Sequence, residues 1–384
     1  MKRLQFGTTK CFKMHIGKTC NETLCRDLYV GGWKREVVED SITGIISQTE
    51  VFQEEEKMKV KTEQMYLGDV ISNDGKHFHN VQNRKNRGIG IINQIMQILD
   101  TVFFGKYHFE VAMILRSSML LSSLLLNSEA WVNLTEKDIR SLEQTDEMLL
   151  SKVLECESNT SNIAKYLELG AQPLRFEIMK RKILFLQYIL KQDKKSMISQ
   201  VFQATVNNPL NNDFVKTCEK YLQNLKINLS MEEIENMSTW SFKKLVKEKS
   251  EIAAFKYLME RKNQPNKQTK IAHIVYDKLQ MQHYLLDGNK NTKASKMIFK
   301  ARTKSLDIKT LKSWKYDDDL CVGCNTSKES IEEILSCDAL SDGKETEKVE
   351  YEWLFGGNDR QIQQVGASLI MRMRKREKLL EEVT

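Results

Sequence analysis

Proline is nearly absent from this chain. It occurs three times in 384 residues, at Pro173, Pro209 and Pro265, where average usage is about 5%, and so few breakers favour long helices. Glycine is scarce in the middle: of 17 glycines, ten lie at or before Gly105, and between Lys106 and Asp287 only Gly170 remains. A β-sandwich needs a turn every ~8 to 12 residues, so this stretch reads as helical. No apolar run is long enough to span a membrane. The most apolar, Met119 to Leu126, falls short of the ~20 residues required, and Arg116 precedes it. No secretory apolar core comes after Met1-Lys2-Arg3, which points to an intracellular protein, nuclear or cytoplasmic, with no membrane partner. Its eight cysteines are then expected as thiols or metal ligands rather than a disulfide framework.

What is present is charge, unevenly held. Residues Lys290, Lys293, Lys296, Lys300, Arg302, Lys304, Lys309, Lys312 and Lys315 face one acid, Asp307, so this segment carries +8 of a net +7 and the remainder is close to neutral. A concentrated excess points to a polyanionic partner more strongly than a diffuse one. The first eight of these residues are the candidate nucleic-acid contacts, and RNA or DNA the expected partner.

The expected fold is mainly α, with a small β-containing start. Phe12, Met14 and Ile16 alternate with polar residues, Gly31-Gly32 marks a turn, and Met65 to Ile71 reads as a short strand closed by Ser72-Asn73-Asp74-Gly75. Helical spacing then dominates. Ile89, Ile92, Ile95, Met96 and Leu99 form one face, and an almost wholly apolar helix runs from about Glu110 to Glu129. Thr135 and Asp138 suit a capping box, Gly170 a helix stop and Pro173 the start of the next helix, whose core side is Leu174, Ile178, Phe185, Tyr188 and Ile189. Further helices are expected from Trp240 to Arg261 (core Trp240, Leu245, Ala253, Tyr257, Leu258), from Ile271 to Leu286, and from about Asp359 to Glu382, the last carrying Arg372, Arg374, Lys375 and Arg376. The expected domains are 1–75 (β-rich), 76–206 (helical), 214–315 (basic and helical), 316–340 (Cys-rich) and 341–384 (acidic loop and terminal helix).

The candidate metal ligands are Cys321, Cys324, Glu333 and Cys337. A tight turn can carry the first two thiolates while a helix presents positions 333 and 337 one turn apart on one face, which suits tetrahedral zinc. Cys11, Cys20, Cys25, Cys156 and Cys218 lack metal spacing.

Lys10 to Gly17 (KCFKMHIG), then Tyr66-Leu67-Gly68-Asp69 with Asp74-Gly75, then basic amphipathic helices and a late Cys-x2-Cys, together resemble the C-terminal part of non-LTR (LINE-type) retrotransposon reverse transcriptases. The likeness begins just after the family's polymerase active site. It implies a β remnant of the palm–thumb junction, a helical thumb that grips duplex, and a basic C-terminal domain with a zinc knuckle, in which Glu333 stands where the family has histidine. It matches Lys10 to a lysine near the incoming nucleotide's phosphates. The family's Ala-Asp-Asp signature would lie before Lys10 and is not in the chain, while Asp317-Asp318-Asp319 stands at the wrong end. Two-metal chemistry needs such carboxylates, so magnesium and unaided polymerisation are not expected, and no catalytic residue is assigned. The expectation is a truncated, non-catalytic reverse-transcriptase-like chain that keeps RNA or DNA binding. The alternatives are a helical protein-interaction scaffold and a non-functional relic of a retroelement.

Overall fold

A computed structural model of the chain describes residues 63–66, 68–72, 75–102, 107–132, 134–208, 213–264, 271–286, 291–341, 343 and 349–383, with strand backbone at 12–13, 29–30, 33–39, 46–52, 56–57 and 59–60. It is mainly helical and divides into two compact units, Met1–Asn83 and Arg84–Thr384.

Unit 1 holds paired strands. β1 (Phe12–Lys13) lies parallel to β6 (Lys59–Val60), whereas β2 (Tyr29–Val30) with β5 (Glu56–Lys57) and β3 (Trp33–Glu39) with β4 (Ile46–Phe52) are antiparallel. The single strand expected over Met65 to Ile71 is instead a hairpin. β7 (Glu63–Tyr66) pairs with β8 (Asp69–Ser72), and Gly68, at φ 87°, turns the chain between them. A glycine inside an apolar run marks a reversal when its backbone must be left-handed. Lys10, Met14, Ile16 and Gly31-Gly32 lie outside the described residues.

α1 (Phe78–Thr101) buries Ile92, Ile95 and Leu99, as their spacing predicts, but leaves Ile89 partly exposed. The apolar helix expected next is interrupted. α2 (His108–Leu115) passes into a π-turn over Arg116–Leu120 before α3 (Leu121–Leu124). An extra residue per turn rotates the face that follows it, where Leu120, Leu121 and Leu124 are buried; Ile114, before the bulge, is exposed. The bulge sits at a buried charge: Arg116 donates to both Asp146 oxygens at 2.7 Å and to the Gln172 carbonyl at 2.8 Å.

α4 (Glu136–Val153) opens with the expected capping box, the Asp138 amide donating to the Thr135 hydroxyl and the Thr135 amide to the Asp138 carboxylate, each at 3.1 Å. α5 (Asn162–Leu169) ends at Gly170 in the left-handed region (φ 63°). A Cβ there would also come within 2.2 Å of the Met281 amide nitrogen, so conformation and close approach both require glycine.

α6 (Leu174–Leu190) packs against α7 (Met197–Asn207), α8 (Phe214–Asn224), α9 (Met231–Asn236) and α10 (Thr239–Lys262). It runs antiparallel to α10: Phe176 near its start meets Tyr257, and Lys191 at its end meets Met237. Tyr188, expected in the core, is exposed. The buried row of α10 is Phe242, Val246, Ser250, Ala254 and Leu258, so of the five expected core positions only Leu258 lies on it. Small Ser250 and Ala254 let α6 approach, while Trp240 turns to solvent and Tyr257 is sandwiched by Arg175 and Arg261, 5.0 and 4.4 Å from its ring centre.

Residues 271–286 form no α-helix, against expectation. They make a strap with one 3₁₀ turn at His283–Leu285, held to α5 by the Leu169–Met281 bridge and by the Gln282 amide donating to the Glu168 carbonyl at 2.9 Å. Tertiary hydrogen bonds override the strap's helical spacing. Beyond it, α11 (Thr292–Arg302), α12 (Ile331–Ser336), α13 (Trp353–Gly356) and the long α14 (Asp359–Val383) complete unit 2. The Lys296–Glu155 and Arg302–Glu168 pairs tie the expected segments 76–206 and 214–315 together. Among the described residues no helix is long and apolar enough to cross a membrane.

Candidate metal centre and the basic segment

Cys321, Cys324, Glu333 and Cys337 converge. One ligand atom from each lies within 4.8 Å of all the others, so the cluster can hold a metal ion. Two short elements bring them together. Leu320 and Lys328 bridge across a turn in which the Asn325 amide donates to the Cys321 carbonyl at 2.9 Å, and Asn325 takes the left-handed conformation (φ 58°) that asparagine tolerates. On the other side the Ser330 hydroxyl caps α12, and the Cys337 amide donates to the Glu333 carbonyl at 2.8 Å, setting the two ligands one turn apart. Gly323 makes room between the halves, since a Cβ there would stand 3.2 Å from Cys337 Sγ and 2.8 Å from Leu340 Cγ.

The distances suit a tetrahedral ion. Zn–S bonds of about 2.3 Å at tetrahedral angles place two sulfurs ~3.8 Å apart, and a sulfur and a carboxylate oxygen ~3.5 Å apart. Cys321 Sγ and Cys337 Sγ are 3.7 Å apart, and Cys324 Sγ and Glu333 Oε1 3.3 Å. Without an ion, burial pushes the Cys321 thiol up to about 12 and raises Cys337 as well. The Thr326 hydroxyl and the Ser327 and Thr326 amides lower Cys324.

The surrounding clamp was not visible as such in the sequence. Glu329, fully buried, receives Arg376 Nε and Nη2 at 2.9 and 2.8 Å and the Lys309 amide at 2.7 Å. Arg372 Nη1 donates to the Ile334 and Cys337 carbonyls at 3.1 and 2.7 Å, and Lys375 Nζ to the Ser341 carbonyl at 2.6 Å. The basic end of α14 is thus the strut that holds the Cys-rich turn against the helical body.

The basic segment behaves similarly. Lys296 reaches Glu155 at 2.6 Å, Lys309 reaches Asp318 at 2.6 Å, and Lys312 is paired with Glu157 and lies 3.7 Å from Asp307; all three are largely buried. Arg302 Nε donates at 3.2 Å to Glu168, which also accepts from the Tyr276 and Tyr284 hydroxyls at 2.6 and 2.8 Å. Burial, followed by the Glu168 charge, raises both tyrosines above their ordinary value and keeps them as donors. Of the eight candidate contacts Lys293 is exposed, Lys300 and Lys304 are half-buried, and Lys290 lies outside the described residues. Half of the local +8 is therefore neutralised by Glu155, Glu157, Glu168 and Asp318, all outside the segment.

Compared with known proteins, the chain matches no family model, no curated protein and no solved structure.

Proposed function

We propose that this chain is a non-catalytic, zinc-bearing helical protein that binds RNA or DNA, with its origin in the C-terminal part of a LINE-type reverse transcriptase. The observation that carries the reading is the convergence of Cys321, Cys324, Glu333 and Cys337 at zinc-compatible spacing, in the order the resemblance calls for. With four protein ligands and two of its thiols buried, the site is closed, which is the form of a structural rather than a catalytic zinc. The ion would supply folding energy, pinning α12 to the turn at Cys321 and Cys324. The set of reduced thiols fits an intracellular setting. Nucleic acid would be held through phosphate contacts from the lysines that internal carboxylates leave unpaired, which position the partner without reading its sequence.

The test is direct. Metal analysis of purified protein should return one zinc per chain, and Cys337→Ala should remove it. Affinity for duplex DNA should fall with salt at a log–log slope of about −0.9 per neutralised phosphate. Zinc-free protein whose DNA affinity ignores ionic strength would overturn the reading.

One observation favours the scaffold alternative. Lys296, Arg302, Lys309 and Lys312 neutralise internal carboxylates and are withdrawn from any phosphate face. A partner protein recovered equally well after nuclease treatment would support it.

A further inference from the structure

We infer that the corner where α6 ends and α10 begins is a contact for single-stranded nucleic acid, with Trp240 stacking on an unpaired base and Lys191, Lys194, Lys195, Lys243 and Lys244 holding the flanking phosphates. This deepens the nucleic-acid reading above and rests on it.

Trp240 is 73% exposed. It lies off the buried row of its own helix, so nothing in the packing of α10 calls for an indole there. Its ring is oriented by Lys244, whose ammonium sits 5.6 Å from the ring centre. The end of α6 is fastened alongside: Lys191 Nζ donates to the Met237 carbonyl at 2.7 Å, and Gln187 Nε2 donates to the same oxygen at 3.0 Å. Met237 stands three residues before Trp240, which brings the end of α6 to the start of α10; Lys194 and Lys195 follow Lys191 in the chain, Lys243 lies one turn from Trp240, and all three are exposed.

That surface is not self-neutralised. Asp193 accepts from the Lys195 backbone amide, and Glu233 closes the capping box at Ser230. Neither reaches an ammonium of the five lysines, and the exposed Glu232 and Glu235 of α9 pair with none of them among the described residues. The first turn of α10 has no acid, and lysines so near a helix start work against its dipole. Helix stability therefore does not explain Lys243 and Lys244, whereas a phosphate partner does. Among the described residues the other strongly exposed indole makes the contrast. Trp314 is 71% exposed, but its neighbour Lys315 is paired with Asp307, and Asp317, Asp318 and Asp319 come next. An acidic setting repels phosphate, so among the described residues only Trp240 combines a strongly exposed indole with nearby cations that no carboxylate neutralises.

A free aromatic plane selects single strands, because duplex bases hide both faces in the stack. The experiment titrates the full chain with a thymidine dodecamer, reading anisotropy and tryptophan quenching. Stacking on one base is worth a loss of roughly 5- to 150-fold in affinity when the aromatic is removed. Trp240→Ala should show that loss with its circular dichroism unchanged, and Trp314→Ala should bind as wild type. The double variant Lys243→Glu, Lys244→Glu should weaken binding and make the log–log salt slope shallower by about 1.4, two phosphates at about 0.7 each. An abasic dodecamer of equal charge should bind wild type more weakly than the thymidine strand. Equal binding of the abasic strand, an oligoglutamate peptide competing as well as the dodecamer, or full affinity in folded Trp240→Ala would each overturn the assignment while leaving general nucleic-acid binding intact. Wild-type protein that binds no oligonucleotide at all would instead sink the proposed function itself.

Discussion

Arg376 and Glu329 are 47 positions apart and meet through two parallel hydrogen bonds of 2.9 and 2.8 Å, neither side chain reaching solvent. Tyr316 covers the guanidinium, 5.4 Å from its ring centre, and although burial alone would lower Arg376, the hydrogen bonds to Glu329 and Tyr316 outweigh it and leave Arg376 raised above its ordinary value. Removing one member of such a pair strands the other charge without water. Glu329→Ala should cost about 3–5 kcal/mol of stability, read as a lowered denaturant midpoint. A double replacement by apolar residues of similar volume should recover most of that loss. A single variant as stable as wild type would show that the strut carries no energy.

The metal ligands differ in burial, and that sets a pH dependence for zinc. Thiols bind as thiolates, so Cys321, held up to about 12, and Cys337 must release protons to the solvent when the ion enters. Acidification therefore weakens binding, and zinc uptake in weakly buffered solution should acidify it. Replacing Glu333 with histidine should tighten the site, since imidazole is the commoner partner of cysteine in closed zinc sites. Glu333→Ala should loosen it. Competition with a chromophoric chelator at about pH 8 ranks the three proteins, and wild type that binds zinc more tightly at about pH 6 than at about pH 8 would contradict the proton release.

Position decides what a basic residue does here, and two substitutions separate the roles. Arg302→Glu places a carboxylate against buried Glu168 and the Tyr276 and Tyr284 hydroxyls, so it should destabilise the chain by at least about 3–5 kcal/mol whatever it binds. Lys293→Glu, on an exposed face, should leave thermal stability within about 0.5 kcal/mol and alter only nucleic-acid affinity and its salt slope. Thermal melts and binding curves on the same two proteins make the comparison.

The range of an interaction decides whether it is legible in the sequence. The capping box at Thr135, the stop at Gly170 and the ligand spacing from Cys321 to Cys337 rest on neighbours within a few turns, and the structure reproduces them. Long-range partners were invisible. A run of lysines looks like a phosphate face until Glu155, Glu157 and Glu168 arrive from other helices, and residues 271–286 look helical until Glu168 captures two of their tyrosines. In α10 the pattern slipped because one face offers large residues and the neighbouring face small ones, and close packing against α6 selects the small Ser250 and Ala254. Backbone bulges hide in the same way, since nothing local at Arg116 announces that its guanidinium will reach Asp146 and the Gln172 carbonyl.

His108 gives stability a dependence on mild acid. Burial is the largest influence on its imidazole and lowers it from 6.5; the Lys296 ammonium acts in the same direction, against the Val153 backbone, Asp100 and Glu155. Its Nε2 is buried with no hydrogen-bond partner among the described residues. Proton counting gives the sign. As pH falls through about 6.5 the unfolded chain takes up its proton first, while the folded chain resists until its lower value is reached, so the unfolded state binds more protons and stability drops. Above about 6.5 the contribution is intact, and it is lost progressively below. Most carboxylates titrate nearer about 4, so a series of urea midpoints from about pH 7.5 to 5.5 follows the imidazoles; burial lowers His273 as well, so the difference between wild type and the His108 variant isolates this one. Wild type should lose stability across that series, and His108→Gln should give a flatter line. Parallel lines for the two proteins would assign the acid sensitivity to another group, and a wild-type midpoint that rises on acidification would reverse the burial argument.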